Sequence, residues 1–108
     1  MAARGFLIVR YSAPRQPAGA YAEFVKAVHK AHAEEWWPAM TAAGATSYRS
    51  LGDMLQSSPR GVVIYEFSSA EQGLAWMTSP AGRAVTRQFT RLGALDIEIS
   101  AYSLLNEG

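Results

Sequence analysis

The sequence contains no cysteine, which excludes a disulfide scaffold, a zinc ribbon and a thiol nucleophile. Charge of one sign is also missing. Ten basic residues, eight Arg and two Lys, face nine acidic ones, for a net charge of +1. They are scattered, so no general electrostatic pull on nucleic acid or an anionic membrane is expected. No apolar run approaches the roughly 18 residues of a membrane span. Arg4 leads straight into a strand-like run with no signal-peptide core, so a cytoplasmic location is expected. There is no P-loop, no Gly-x-Gly-x-x-Gly and no Gly-x-Ser-x-Gly elbow. What remains is 108 residues, 49% of them apolar. That reads as one domain over residues 1–108, long enough to bury about two-thirds of its unfolded surface.

Gly5 to Tyr11 is short, aromatic and β-branched, the signature of a strand. Ser12 to Gly19, with Pro14 and Pro17, is a loop. From Ala20 to about Ala43 the pattern becomes helical: Tyr21, Phe24, Val25, Val28, His32, Glu35, Trp36 and Ala39 recur at three- and four-residue spacing. Pro38 inside this segment predicts a kink or a new turn near Trp37. Gly44 stands where a left-handed helix cap is expected. Thr46 to Leu51 reads as a second strand, Gly52 to Gly61 as a hairpin loop, and Gly61 to Phe67 as the strongest strand.

Ser68 and Ser69 before Glu71 and Gln72 form a capping-box arrangement. The helix it opens is interrupted at Ser79-Pro80, restarts and stops at Gly93. Asp96 to Leu105 alternates as a last strand. The order β-α-β-β-α-β predicts an α+β, ferredoxin-like fold: a four-stranded antiparallel sheet with two helices on one face. Within it, Gly5–Ser12 echoes Gly61–Ser68, so strands one and three are expected to play equivalent roles as parallel neighbours, with Arg10 beside Glu66.

Strand alternation sorts the side chains into two faces. Leu7, Val9, Tyr11, Val63, Tyr65, Phe67, Ile97, Ile99 and Ala101 form a nearly all-apolar set for the helix side. Phe6, Ile8, Arg10, Val62, Ile64, Glu66, Glu98, Ser100 and Tyr102 form the other. Phe6, Ile8, Val62 and Ile64 would be a contiguous exposed apolar patch, so a face-to-face homodimer is expected, with the charges at its rim.

His32 falls in the middle of the first helix's apolar stripe, beside Val25, Val28 and Trp36. It is either a general base in a pocket or a hydrogen-bonded core imidazole. His29, His32 and Glu35 fan out along one helix and lack a second element to complete a metal site, so no metal is expected. Trp36 and Trp76 either wall a flat aromatic ligand or pack as core, and Trp37 points away from the stripe. Tyr11 and Tyr65 share the helix-facing parity; Arg49 joins them if the second strand runs in that register. Arg83, Arg87 and Arg91 either clamp an anion or form a solvated face.

The opening strand Phe6 to Tyr11, the stretch Val62 to Glu71 and the run Trp76-Met77-Thr78-Ser79-Pro80 resemble the dimeric α+β barrel superfamily. The pattern Glu-Phe-x-Ser, a capped helix and Trp-x-x-Ser-Pro is similar to antibiotic-biosynthesis-monooxygenase-like and polyketide-cyclase-like members, and to stress-responsive barrels. The resemblance implies a ligand held between helices and sheet. Many members carry a histidine just after the Ser-Pro step; Ser79-Pro80-Ala81-Gly82-Arg83 has none, so chemistry built on that histidine is not implied.

The expectation is a small enzyme of aromatic or polyketide metabolism. His32 would be the base, Tyr65 or Arg49 would stabilise the anion, and Tyr11, Val28, Trp36, Phe67 and Trp76 would contact the substrate. The reaction would be cofactor-free oxygenation or ring closure by proton abstraction. The alternative is a non-catalytic, small-ligand-binding or stress-associated dimer.

Overall fold

A computed structural model describes residues 3–52 and 60–107. The body of the expected hairpin loop, residues 53–59, lies outside them. The chain runs β1 (Gly5–Ser12), α1 (Ala20–Ala31), a π-helical turn (His32–Trp36), α2 (Trp37–Ala42), β2 (Ala45–Gly52), β3 (Arg60–Phe67), α3 (Ala70–Thr78), α4 (Pro80–Leu92) and β4 (Leu95–Ser103). The strands form one antiparallel sheet in the order β2-β3-β1-β4. No helix among the described residues is long and apolar enough to cross a membrane.

The predicted parallel pairing of strands one and three is wrong. β1 and β3 pair antiparallel, with Phe6 opposite Glu66 and Arg10 opposite Val62. The reason is topological: the helical crossover lets β2 run in the direction of β1, and β3 then turns back from β2. Arg10 faces Glu98 on β4 instead, and Glu66 takes an ion pair from Arg4 at 3.2 Å. Arg4 also meets Glu107 at 2.6 Å, which ties the segment after β4 to the start of β1.

Local signals explain the helix boundaries. Ser69 accepts a hydrogen bond from the Gln72 amide at 3.2 Å and starts α3. The Ser79 hydroxyl donates to the Trp76 carbonyl at 2.7 Å and accepts from the Gly82 amide at 3.0 Å. One side chain thus closes α3 and opens α4, with Pro80 in the first helical position. Gly44 and Gly93, at φ 110° and 122°, end the helices that precede β2 and β4.

The helix-facing set is buried or half-buried except for Ala101, which is exposed, and the core has two parts. One holds Leu7, Met40, Ala45, Tyr65, Phe67 and Trp76; the other holds Ala13, Phe24, Trp36, Phe89 and Ala94. Val9 and Val85 touch both. Phe67 is fully buried, packed beneath Gly73 of α3. Replacing Phe67 by Ala therefore leaves a cavity in the first cluster, and urea denaturation is expected to show a loss of about 3–5 kcal/mol; a loss below 1 kcal/mol would contradict this packing.

Candidate functional site

The two core clusters do not close on each other. Between helices and sheet lies a cavity of about 730 Å³, lined by Leu7, Val9, Tyr11, Val28, His32, Trp36, Tyr48, Tyr65 and Trp76 among others. This volume lies within the range of small-molecule sites.

The chemistry sits at one wall. His32 Nε2 and the Tyr65 hydroxyl are 2.9 Å apart. Either group donates, depending on the imidazole tautomer. Around them stand Tyr48, whose ring centroid is 4.6 Å from that of His32, and Trp37, stacked on His32 at 6.0 Å with an interplanar angle of 13°.

Trp37 reaches this stack because of the π turn. In a regular α-helix, five steps of about 100° would leave Trp37 far around the helix from His32. The π-helical bond from the Trp37 amide to the His32 carbonyl closes a wider turn and brings residue 37 back above residue 32. The prediction that Trp37 points away is corrected on this ground, and the expected kink at Pro38 takes this form.

Trp36 is buried and also lines the cavity. Its indole N–H donates to Gln88 on α4 at 2.8 Å, and the Gln88 amide donates to Glu35 at 3.0 Å. Gln88 therefore pins the π turn from the neighbouring helix. Nothing in the sequence pattern singled it out.

Six predicted residues line the cavity: His32 and Tyr65 themselves, with Tyr11, Val28, Trp36 and Trp76. Phe67 does not: its complete burial keeps it from a ligand. Arg49 is also misplaced by the prediction. It stands opposite Ile64, on the far face of the sheet, and is exposed. The cause is a β-bulge at Thr46. Ala45 pairs with Phe67 and Ser47 with Glu66, so one extra residue reverses the parity of the rest of β2. Tyr48 takes the inward position opposite Tyr65.

Arg83, Arg87 and Arg91 are all exposed, the solvated-face arrangement. His29 is exposed at the rim, and Glu35 is engaged by Gln88. Among the described lining residues none is acidic, whereas Lys30 and Arg60 are basic. Such a lining favours a ligand that carries or develops negative charge.

Burial lowers the His32 pKa from its ordinary value, and nearby His29 adds to the effect. The imidazole is therefore neutral at pH 7. Burial raises the Tyr65 phenol well above the usual tyrosine range, with smaller contributions from Tyr48 and Tyr11, so its proton is retained.

No family model and no curated protein matches the chain. Solved structures do. A dimeric ferredoxin-like protein from an uncultured marine organism superposes with a TM-score of 0.70 at 17% identity, covering 98% of this chain and 99% of that one. A second dimeric ferredoxin-like protein from an uncultured marine organism gives 0.67 at 13% identity, with 98% of each chain covered. SnoaB, a cofactor-independent oxygenase from Streptomyces nogalater, gives 0.65 at 15% identity, covering 98% of this chain and 97% of its own.

The lowered His32 pKa has a thermodynamic sign. Near pH 6.5 the unfolded chain binds more protons at this position than the folded one. Stability from His32 is therefore complete above pH 6.5 and is lost as pH falls from there toward the lower folded-state pKa. Urea denaturation at pH 7.5 and 5.5 is expected to show a drop that is smaller in His32→Gln; an equal drop in both proteins would contradict the assignment. The fold these comparisons share with the chain is the ferredoxin-like α+β fold, a four-stranded antiparallel sheet with its helices packed on it.

Proposed function

We propose that the cavity binds a flat aromatic or polyketide-like molecule and that His32 removes its acidic proton, initiating cofactor-independent oxygenation or ring closure. The observation that carries this reading is the His32–Tyr65 contact of 2.9 Å on the wall of an apolar cavity. In the tautomer whose Nε2–H donates to the Tyr65 oxygen, the neutral imidazole accepts a proton at Nδ1, and the retained phenol proton is free to donate a hydrogen bond to the oxygen on which negative charge develops. The basic residues at the rim favour the same anion. A carbanion stabilised in this way is electron-rich enough to react with dioxygen without a redox group from the protein. The fold shared with SnoaB, described as a cofactor-independent oxygenase, supports the oxygenase branch.

A second copy of the chain is the proposed partner. Phe6, Ile8, Val62 and Ile64 lie together on the sheet face away from the helices, with Ile8 directly opposite Ile64. Two of the structures with this fold are described as dimeric.

Titration with fused-ring phenols and anthrones, following tryptophan fluorescence and dissolved oxygen together, tests the reaction. Saturable quenching with oxygen uptake is expected. His32→Ala should lower uptake by about 10²–10⁴-fold while quenching persists; full turnover in that variant would remove His32 as the base. For assembly, Ile64→Arg places a charge in the middle of the apolar face. Light scattering should show the mass of a dimer for the natural protein and of a monomer for the variant, and identical masses would refute the interface.

A further inference from the structure

The His32–Tyr65 pair leaves a second phenol on the cavity wall unused. Tyr11 on β1 stands opposite Gly61 on β3, while Tyr65 lies further along the same strand, opposite Leu7. From position 61 to position 65, at ~3.3 Å per residue, is roughly 13 Å along β3. The wall between them is apolar, made by Val9 and Val63, which face each other across the two strands. Along β1 and β3 the cavity wall therefore carries a phenol on either side of an apolar stretch.

Tyr11 is firmly placed. Its ring meets Phe89 edge-on at 4.9 Å and Phe24 at 6.0 Å. Tyr11 lines the cavity, and its hydroxyl has no hydrogen-bond partner among the described residues. Gly61 explains how it fits. A Cβ at position 61 would collide with the hydroxyl end of the Tyr11 ring, so only glycine lets that ring lie against β3 and leaves the space above it open.

We propose that the site takes an elongated fused-ring molecule with an oxygen at each end, one at the His32–Tyr65 pair and one accepting a hydrogen bond from the Tyr11 hydroxyl, with Gly61 setting the length admitted. This rests on the aromatic-ligand reading above and adds the ligand's shape and polarity. The physical basis is asymmetric. A ligand with an apolar far end displaces water from the Tyr11 hydroxyl without replacing its hydrogen bond, whereas a ligand with an oxygen there restores it.

Two probes test this by fluorescence quenching: an anthraquinone with a hydroxyl on one outer ring, and one with hydroxyls on both outer rings at opposite ends. The natural protein is expected to bind the doubly substituted probe about 2–10-fold more tightly. Tyr11→Phe should abolish or reverse that preference, because it removes the group that the singly substituted probe leaves unbonded. Gly61→Ala should tilt Tyr11 into the cavity and weaken both anthraquinones while leaving phenol itself unaffected. Thermal melting confirms that each variant is folded, and Tyr11→Phe decides the matter if Gly61→Ala is not. Equal affinities in the natural protein, or a preference that survives in Tyr11→Phe, would overturn the proposal. A Tyr11-dependent preference without oxygen uptake on any substrate upholds it and removes the oxygenase reading. Uptake with no Tyr11 effect does the reverse, and absence of quenching by either probe overturns both.

Discussion

The first long helix cannot remain α-helical through Pro38. Proline has no amide hydrogen to donate, and its ring crowds the carbonyl four residues back, here Glu34. The chain resolves this by widening the turn just before it, from His32 to Trp36. Widening adds a residue to one turn, and that residue changes what faces inward. Trp36 and Trp37 both turn toward the sheet, and the His32 ring lies against those of Trp37 and Tyr48, which also touch each other. Gln88 then fastens the turn to α4 through Trp36 and Glu35. A constraint on one backbone nitrogen thus becomes the placement of an imidazole. π-Helical turns inside α-helices are often found where function needs a side chain that regular geometry would misdirect.

The same economy governs the cavity. A core divided into two clusters, joined by Val9 and Val85, leaves unfilled space that a fully packed interior would not tolerate. Aromatic side chains make that space possible, because large flat rings held at their edges wall a void without collapsing into it. The polar atoms of the His32–Tyr65 pair belong to an imidazole and a phenol, whose charged forms burial disfavours. At neutral pH the cavity wall around the pair is therefore uncharged, and charge would appear there only as a proton moves.

Much of this architecture was legible in the residues. The period of two in β1 and β3 placed Leu7, Tyr65 and Phe67 correctly, and Ser69, Ser79, Gly44 and Gly93 marked helix ends through side-chain and φ requirements that any sequence displays. His32 was found because it interrupts an apolar stripe. Two of the failures share a cause. Arg49 was put in the site and Tyr48 left out of it because a bulge at Thr46 shifts the parity of β2 by one, and nothing in Ala45 to Leu51 announces an extra residue. Trp37 was sent outward because a period of 3.6 was carried through a turn that does not obey it. Both errors are insertions of a single residue into a regular repeat. Gln88 escaped for a different reason: its importance lies in contacts with distant residues, which one helix's pattern does not contain. The strand direction of β1 and β3 was missed by neglecting the reversal between β2 and β3.

The bulge at Thr46 has a counterpart. Between Arg10–Glu98 and Ser12–Leu95 the pairing of β1 with β4 also slips, and Asp96, in the gap, has a φ of 52°. These irregularities fall on β2 and β4, the two outer strands of the sheet. An outer strand that ran straight would offer an unbroken row of amides and carbonyls to any passing β-segment, the route to runaway sheet extension. Here each border is bent and locally out of step, so an added strand could follow it for only part of its length. The kinks that re-aim side chains therefore also act as stops on lateral growth.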